Sequence, residues 1–157
     1  MSPTGHVAIG FIAKKFTPGT PVFPLLIAAY MIDILCLCFI LTGLETANYA
    51  PWSHSLLMAS VWSVLTILIS FLLTKKLRFS LILGIVVFSH WILDFLVWND
   101  LTLAFDITNT IGLGFYNLIG FDLSNIKFDS AIIIAASLEL GLLFFGLFIY
   151  IRTGKNR

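Results

Sequence analysis

Charge is what this chain has least of: 11% of its 157 residues are charged, against about a quarter in an ordinary soluble domain. That shortage excludes a conventional water-exposed surface. Sulfur is scarce too, with two cysteines, Cys36 and Cys38. Two positions apart on a helix they point opposite ways and cannot chelate one ion together, so they are expected as buried thiols packing like small apolar groups, with no disulfide. Five prolines and eleven glycines exclude a collagen-like or low-complexity chain, and no internal repeat stands out. The net charge of +1 points to no partner, and no nucleic-acid partner is expected. Histidine is limited to His6, His54 and His90, none of them in a polar loop.

Apolar residues fill the space left by charge. Hydrophobic side chains make up 59% of the chain, and the mean hydropathy is +1.03. A helix needs about 20 apolar residues to cross the hydrocarbon core. Four such windows exist, at about 22–43, 52–73, 79–98 and 131–151. The expected architecture is all-α: one integral membrane domain over 1–157, a polytopic bundle of four transmembrane helices plus a short N-terminal half-helix. Lys14, Lys15, Lys75, Lys76, Arg78, Arg152, Lys155 and Arg157 fall on one side of a four-span topology, and Lys127 alone on the other. Short cytoplasmic loops retain Lys and Arg, so both termini are expected in the cytoplasm and the protein in the cell (inner) membrane. The loop around Glu45 and the segment 99–130 then lie outside. Tyr49, Trp52 and Trp98 suit an outer aromatic belt, and Tyr150 an inner one.

The stretch "SPTGHVAIGFIAKKF" is too short to span. Its charges follow the apolar run, opposite to a secretory signal, so it is not expected to be cleaved. Ser2 or Thr4 could cap a helix ending at Lys14 and Lys15. With those lysines at the surface, a rise of about 1.5 Å per residue carries His6 roughly 12 Å inward. The alternative is an amphipathic segment lying on the inner surface.

The same count brings ionisable groups to one depth. Asp33 and His90 lie roughly 16 Å from the cytoplasmic end and Asp94 roughly 22 Å, with Glu139 roughly 12 Å below the outer surface. His54 sits just above this layer, and His6 approaches from below. Each acid near the centre of a span costs about 2.5–3.5 kcal/mol, so Asp33, Asp94 and Glu139 together cost roughly 8–10 kcal/mol. No Lys or Arg inside a span offsets them. The partners left are histidines, hydroxyls, a bound cation, or protonation. His90 and Asp94 stand one turn apart on one helical face, a spacing that lets one ion take an imidazole nitrogen and a carboxylate oxygen. A direct His–Asp hydrogen bond between packed helices is the plainer alternative. Ser53, Ser55 and Ser89 supply hydroxyls beside the histidines.

Other features carry less chemistry. Trp62 and Trp91 read as packing residues. The segment 99–130 is long for a structureless loop and suggests a lid or binding element. Within it, Gly112 and Gly114 of "IGLGFYN" allow a close backbone approach, ahead of Tyr116 and Asn117, while Asp100 and Asp106 read as solvated.

In order, "GHVAIGFIAKK", "AAYMIDIL", "GLE", "PWSHSLL", "FSHWILDFL", "GLGFYN" and "SLEL" resemble a bacterial family of small multi-pass membrane proteins described as membrane-bound metal-dependent hydrolases, related to the YdjM-like group. The similarity covers nearly the whole chain. It implies that His6, Asp33, His54, His90 and Asp94 form one polar centre, with Glu139 and "GLGFYN" as further shared features. The pattern is distantly similar to zinc-dependent phospholipases C. The chain departs from it at "MIDIL", where the group has Pro-Asp-x-Asp, at "YAPWSHS", where the group has His-Arg-Gly, and near Trp98, where close relatives carry a further histidine. Fewer ligands leave one metal, or none, as what these residues support.

The expected function is therefore hydrolysis of a lipid or lipid-linked substrate, such as a phosphodiester, by water activated on a divalent metal, zinc above all. His6, His90 and Asp94 with Asp33 or His54 would hold the ion, and Glu139 or an unligated Asp33 or His54 would serve as general base. The alternative is a non-catalytic membrane protein: an ion, proton or metal transporter, or a bundle held together by a buried polar network.

Overall fold

The computed structural model describes residues 3–46, 49–106, 108–120 and 130–154. Ser2, Lys127, Lys155 and Arg157, used above as a cap and as topology markers, lie outside the described residues.

The chain is a helix bundle. Four helices are long and apolar enough to cross a membrane: α2 (Phe23–Leu41), α4 (Leu56–Thr74), α5 (Leu77–Val97) and α7 (Ser130–Gly154). The shorter α1 (Pro3–Ala13) precedes them, α3 (Pro51–His54) leads into α4, and α6 (Phe115–Leu118) follows the hairpin of β1 (Leu101–Thr102) and β2 (Thr110–Ile111). The two strands pair antiparallel, Leu101 opposite Ile111.

Local chemistry sets the ends of these elements. Pro24 and Pro51 stand in the first turns of α2 and α3, where a missing N–H costs nothing. Ser55, in extended conformation, breaks the expected second span: its hydroxyl accepts from Met58 N at 3.2 Å and caps α4. His54 therefore sits on α3, outside the long helix, a boundary that hydropathy could not reveal.

α5 is the central helix. Half of its spanning window is buried, against 11–22% in the other three. Its Leu83, Val86, Val87 and Trp91 pack with Leu25, Ala28, Ala29 and Ile32 of α2 and Ala59 of α4. In lipid such contacts depend on close packing, which small residues allow. A Cβ on Gly84 would run into the Ile67 side chain, and Ser63 Oγ donates to Gly84 O at 2.7 Å. The outward faces of α2, α4 and α7 carry large apolar side chains such as Leu37, Leu68, Phe144 and Phe148, as lipid contact requires.

α1 is inserted into the bundle. His6, Ala8 and Ala13 are buried, and the helix packs on α7, α2 and α5, so the surface-lying alternative does not hold. It runs parallel to α7, with Gly5 at Glu139, Ala8 at Gly146 and Phe11 against Tyr150. Leu77 and Arg78 of α5 share a groove with Ala13 and Phe16. The lysines after α1, Arg78 and Arg152 thus gather at one end of the bundle.

The cysteines depart from expectation. Cys36 is half-buried and Cys38 exposed on the outer face of α2, because the core stripe of that helix passes through Leu25, Ala28, Ala29 and Ile32.

Candidate metal centre

Four elements deliver one cluster. His6 comes from α1, Asp33 from α2, His54 from the end of α3, and His90 and Asp94 from α5. His90 Nε2 lies 3.4 Å from Asp33 Oδ1 and 3.3 Å from Asp94 Oδ2. His54 Nε2 stands 3.5 Å from Asp33 Oδ1 and 3.7 Å from Asp94 Oδ2. His6 Nε2 reaches Asp94 Oδ1 at 3.5 Å, and its ring stacks on that of His90 with centroids 3.6 Å apart. All five residues expected at the polar centre are brought together. They form two overlapping donor groups, His6–Asp33–His90 and His54–His90–Asp94, each with its ligand atoms within 4.8 Å of one another.

The hydrogen bonds around the histidines decide which nitrogen faces the carboxylates. His90 Nδ1 is 2.8 Å from Ala29 O, and a carbonyl only accepts, so Nδ1 carries a proton. Nε2 is left between two carboxylates, buried and without a hydrogen bond of acceptable geometry. His6 Nδ1 is likewise buried with no hydrogen-bond partner among the described residues. The Cys36 thiol adjoins the His54 ring.

A charge-assisted N–H···O bond closes to about 2.7–2.9 Å, and all five contacts are longer. Ligand atoms at ~2.0–2.1 Å from a tetrahedral zinc stand about 3.3–3.4 Å apart, near the observed values. The donor set, one buried and one half-exposed carboxylate with three imidazoles, suits a zinc-like ion. The only Lys and Arg within the long helices, Arg78 and Arg152, stand at helix ends.

Access is one-sided. The Asp33 side chain is 43% exposed, whereas that of Asp94 is 4% exposed and that of His90 is buried outright.

Glu139 occupies an adjoining position with different chemistry. Its Oε2 accepts from Gly5 N at 2.8 Å and Thr4 Oγ1 at 3.0 Å, and its Oε1 from Tyr116 Oη at 2.7 Å. Hydrogen bonds to a charged group contribute about 1.5–3 kcal/mol each, so three offset the insertion cost of one acid without a cation. Burial, then the bond to Glu139, raises the Tyr116 phenol above its ordinary range and keeps it a donor. Glu139 thus accepts the Gly5 N–H in the first turn of α1, next to His6, while Thr4, expected as a cap, donates its hydroxyl to the same carboxylate.

The segment after α5 is partly built onto the bundle. Leu113 N donates to Phe95 O at 2.8 Å and Gly114 N to Trp98 O at 3.1 Å, so the close approach expected of "IGLGFYN" is made to the end of α5. Asp106 is exposed and holds a turn, accepting from Thr108 and Asn109, while residues 121–129 lie outside the described residues.

In the sequence Glu45 stands out only as a loop acid and as the last residue of "GLE", with no role assigned to it. It is buried, and it binds both the backbone and the hydroxyl of Ser53. An isolated acid in a short loop of an acid-poor chain was the available signal.

The chain matches no family model, no curated protein and no solved structure. Fold and site define a class: a multi-pass helical membrane protein with a buried histidine–aspartate centre.

Proposed function

We propose that this protein is a metal-dependent hydrolase of the cell membrane, acting on a lipid or lipid-linked substrate, with both termini in the cytoplasm. One observation carries the reading: the Nε2 atoms of His54 and His90 face Asp33 and Asp94 at 3.3–3.7 Å, too far for strong hydrogen bonds and close to the spacing of ligands around one small cation. The resemblance to membrane-bound metal-dependent hydrolases adds to it, as does the clustering of basic residues at one end.

His54, His90 and Asp94 would hold the ion, with His6 as a further ligand or as the partner that orients Asp94. A zinc-like ion there supplies a Lewis acid that activates water and polarises the scissile group. His90 is held by its Nδ1–H bond to Ala29 O, which keeps Nε2 turned inward. Asp33, the half-exposed carboxylate, would stay unligated and take a proton from an incoming water. Glu139, with three donors on its carboxylate, is better suited to anchoring α1 than to accepting that proton. The exposed apolar faces bring a lipid-borne substrate to the open side.

The test is metal analysis of the purified protein beside His90→Ala and Asp94→Ala variants, with hydrolysis assayed on vesicles of mixed bacterial phospholipids. One equivalent of zinc in wild type, lost in both variants, is expected, together with product release that Asp33→Asn abolishes. A metal-free wild type that resists reconstitution overturns the reading. Metal binding with zinc flux across the vesicle and no hydrolysis would favour a transporter.

A further inference from the structure

His54 is held by a chain of two side chains, Glu45 and Ser53, that begins outside the metal centre. α2 ends in a turn at Gly43, whose φ of +78° suits glycine, and Leu44 N returns to Phe39 O at 2.9 Å. Thr46 and Tyr49 then pair, each N–H meeting the other's carbonyl at 3.0–3.1 Å. The reversal lays Glu45 over α3, where it is 4% exposed. Its Oε1 accepts from Ser53 N at 2.8 Å and its Oε2 from Ser53 Oγ at 2.8 Å. Ser53 Oγ in turn lies 2.8 Å from His54 Nδ1.

Proton bookkeeping leaves one arrangement. A hydroxyl has a single proton, and a carboxylate only accepts, so the Ser53 proton lies towards Glu45; the other acceptor in reach, Ala50 O, is 3.4 Å away. Ser53 Oγ must then accept from His54, which places a proton on Nδ1. Nε2, turned towards Asp33 and Asp94, is the atom released for coordination. In His90 the carbonyl of Ala29 has the same effect directly.

We propose that Glu45 is a positioning residue: through Ser53 it fixes the proton of His54 on Nδ1 and so reserves Nε2 for a divalent cation. The proposal rests on the metal-centre reading above. Glu45 does not touch the ligand atoms. A carboxylate buried in a membrane protein is costly, and its two bonds from Ser53 offset that cost.

Glu45→Gln tests the relay with almost no change of shape. The Ser53 N–H needs an acceptor, so the glutamine oxygen takes Oε1's place and its NH2 group faces Ser53 Oγ. Ser53 then becomes an acceptor from Gln and donates to His54 Nδ1, forcing the ring proton to Nε2. In full-length protein labelled with 15N-histidine in detergent micelles, wild-type His54 should carry a proton on Nδ1 with and without zinc. In E45Q that nitrogen should read as an unprotonated acceptor. His54→Gln supplies the assignment. Zinc affinity, measured by competition with a chelator, should fall about 10–100-fold in E45Q, the range typical for partners of metal-bound histidines. Ser53→Ala should weaken zinc to a similar degree, and adding E45Q to it should cost nothing more, because the relay is already cut. A purely structural role would instead lower the thermal midpoint and leave the Nδ1 proton in place.

Two failures are distinguishable. A wild type that takes up no zinc overturns the metal centre, and this proposal with it. A wild type that binds zinc, beside an E45Q that binds as tightly or keeps its proton on Nδ1, overturns the relay alone.

Discussion

The amide N–H of Gly5 donates to Glu139 Oε2 at 2.8 Å, joining the first turn of α1 to the middle of α7 across 134 residues of sequence. That bond places His6, the next residue, inside the bundle. Glu139→Ala would leave the Gly5 N–H and the Thr4 and Tyr116 hydroxyls without the acceptor they share. A stability loss of about 2–4 kcal/mol is expected, and about 1 kcal/mol for Tyr116→Phe, by denaturation in detergent. An unchanged midpoint in Glu139→Ala would remove the anchoring role.

Two glycines of α7 should respond in opposite directions. A Cβ on Gly146 would stand 2.7 Å from Ala8 O and 2.9 Å from Ala8 Cα, backbone atoms that cannot step aside. Gly146→Ala should therefore cost about 1–3 kcal/mol. Gly141 has nothing within 4 Å of its Cβ position, and Gly141→Ala should be neutral or add up to about 1 kcal/mol. Paired thermal unfolding curves decide it, and equal effects would contradict the α1–α7 packing.

The docking of the segment after α5 onto that helix hangs on Gly112. Its φ is +142°, and a Cβ there would collide with the Trp98 carbonyl. Gly112→Ala should release the segment, read as faster proteolysis within 99–120 while the four long helices stay intact. Unaltered cleavage would show that the close approach is not needed.

Between α4 and α5 the bond from Ser63 Oγ to Gly84 O is one of the few polar links. Hydrogen bonds between helices in lipid are worth about 0.6 kcal/mol on average and at most about 1.7, so Ser63→Ala should cost that much and no more. A loss of several kcal/mol would mean that packing against Gly84 dominates.

Outside the spans, Asp106 links pH to the order of its turn. The Thr108 hydroxyl, the Thr108 backbone N–H and the Asn109 side chain hold its carboxyl below its ordinary value of 3.8. A group whose folded value is depressed stabilises the turn above the ordinary value and loses that contribution as pH falls through the lowered one. The Thr108 amide NMR signal should therefore hold steady from neutral pH to about 4 and shift below it, and Asp106→Asn should abolish the shift. A signal that titrates near neutral pH would count against the turn.

Much of the site is legible in the sequence. His90 and Asp94 share a face because a helix repeats every 3.6 residues, and depth along a span follows from a fixed rise, so Asp33 could be set at their level. Glu139 was found at nearly the same level by the same count, yet its carboxylate turned to α1 and Tyr116. Depth is one coordinate, and azimuth depends on packing. The break at Ser55 escaped notice because His54 and Leu56 belong to one uninterrupted apolar run, and the cap is a hydrogen bond that hydropathy does not register. Glu45 escaped because no periodicity connects a loop acid to a serine eight residues on.

What the sequence determined alone was the solvent and the parts: four apolar windows long enough for a bilayer, and the few ionisable groups that such windows tolerate only when matched with one another. Those properties add up along the chain, residue by residue. The tertiary structure decided which atoms meet. His90 Nδ1 finds Ala29 O across 61 residues, His54 is turned by Ser53 and Glu45, and Asp33 alone stays half open. Hydrogen-bond direction depends on the register and rotation of one helix against another, and no one-dimensional pattern contains it.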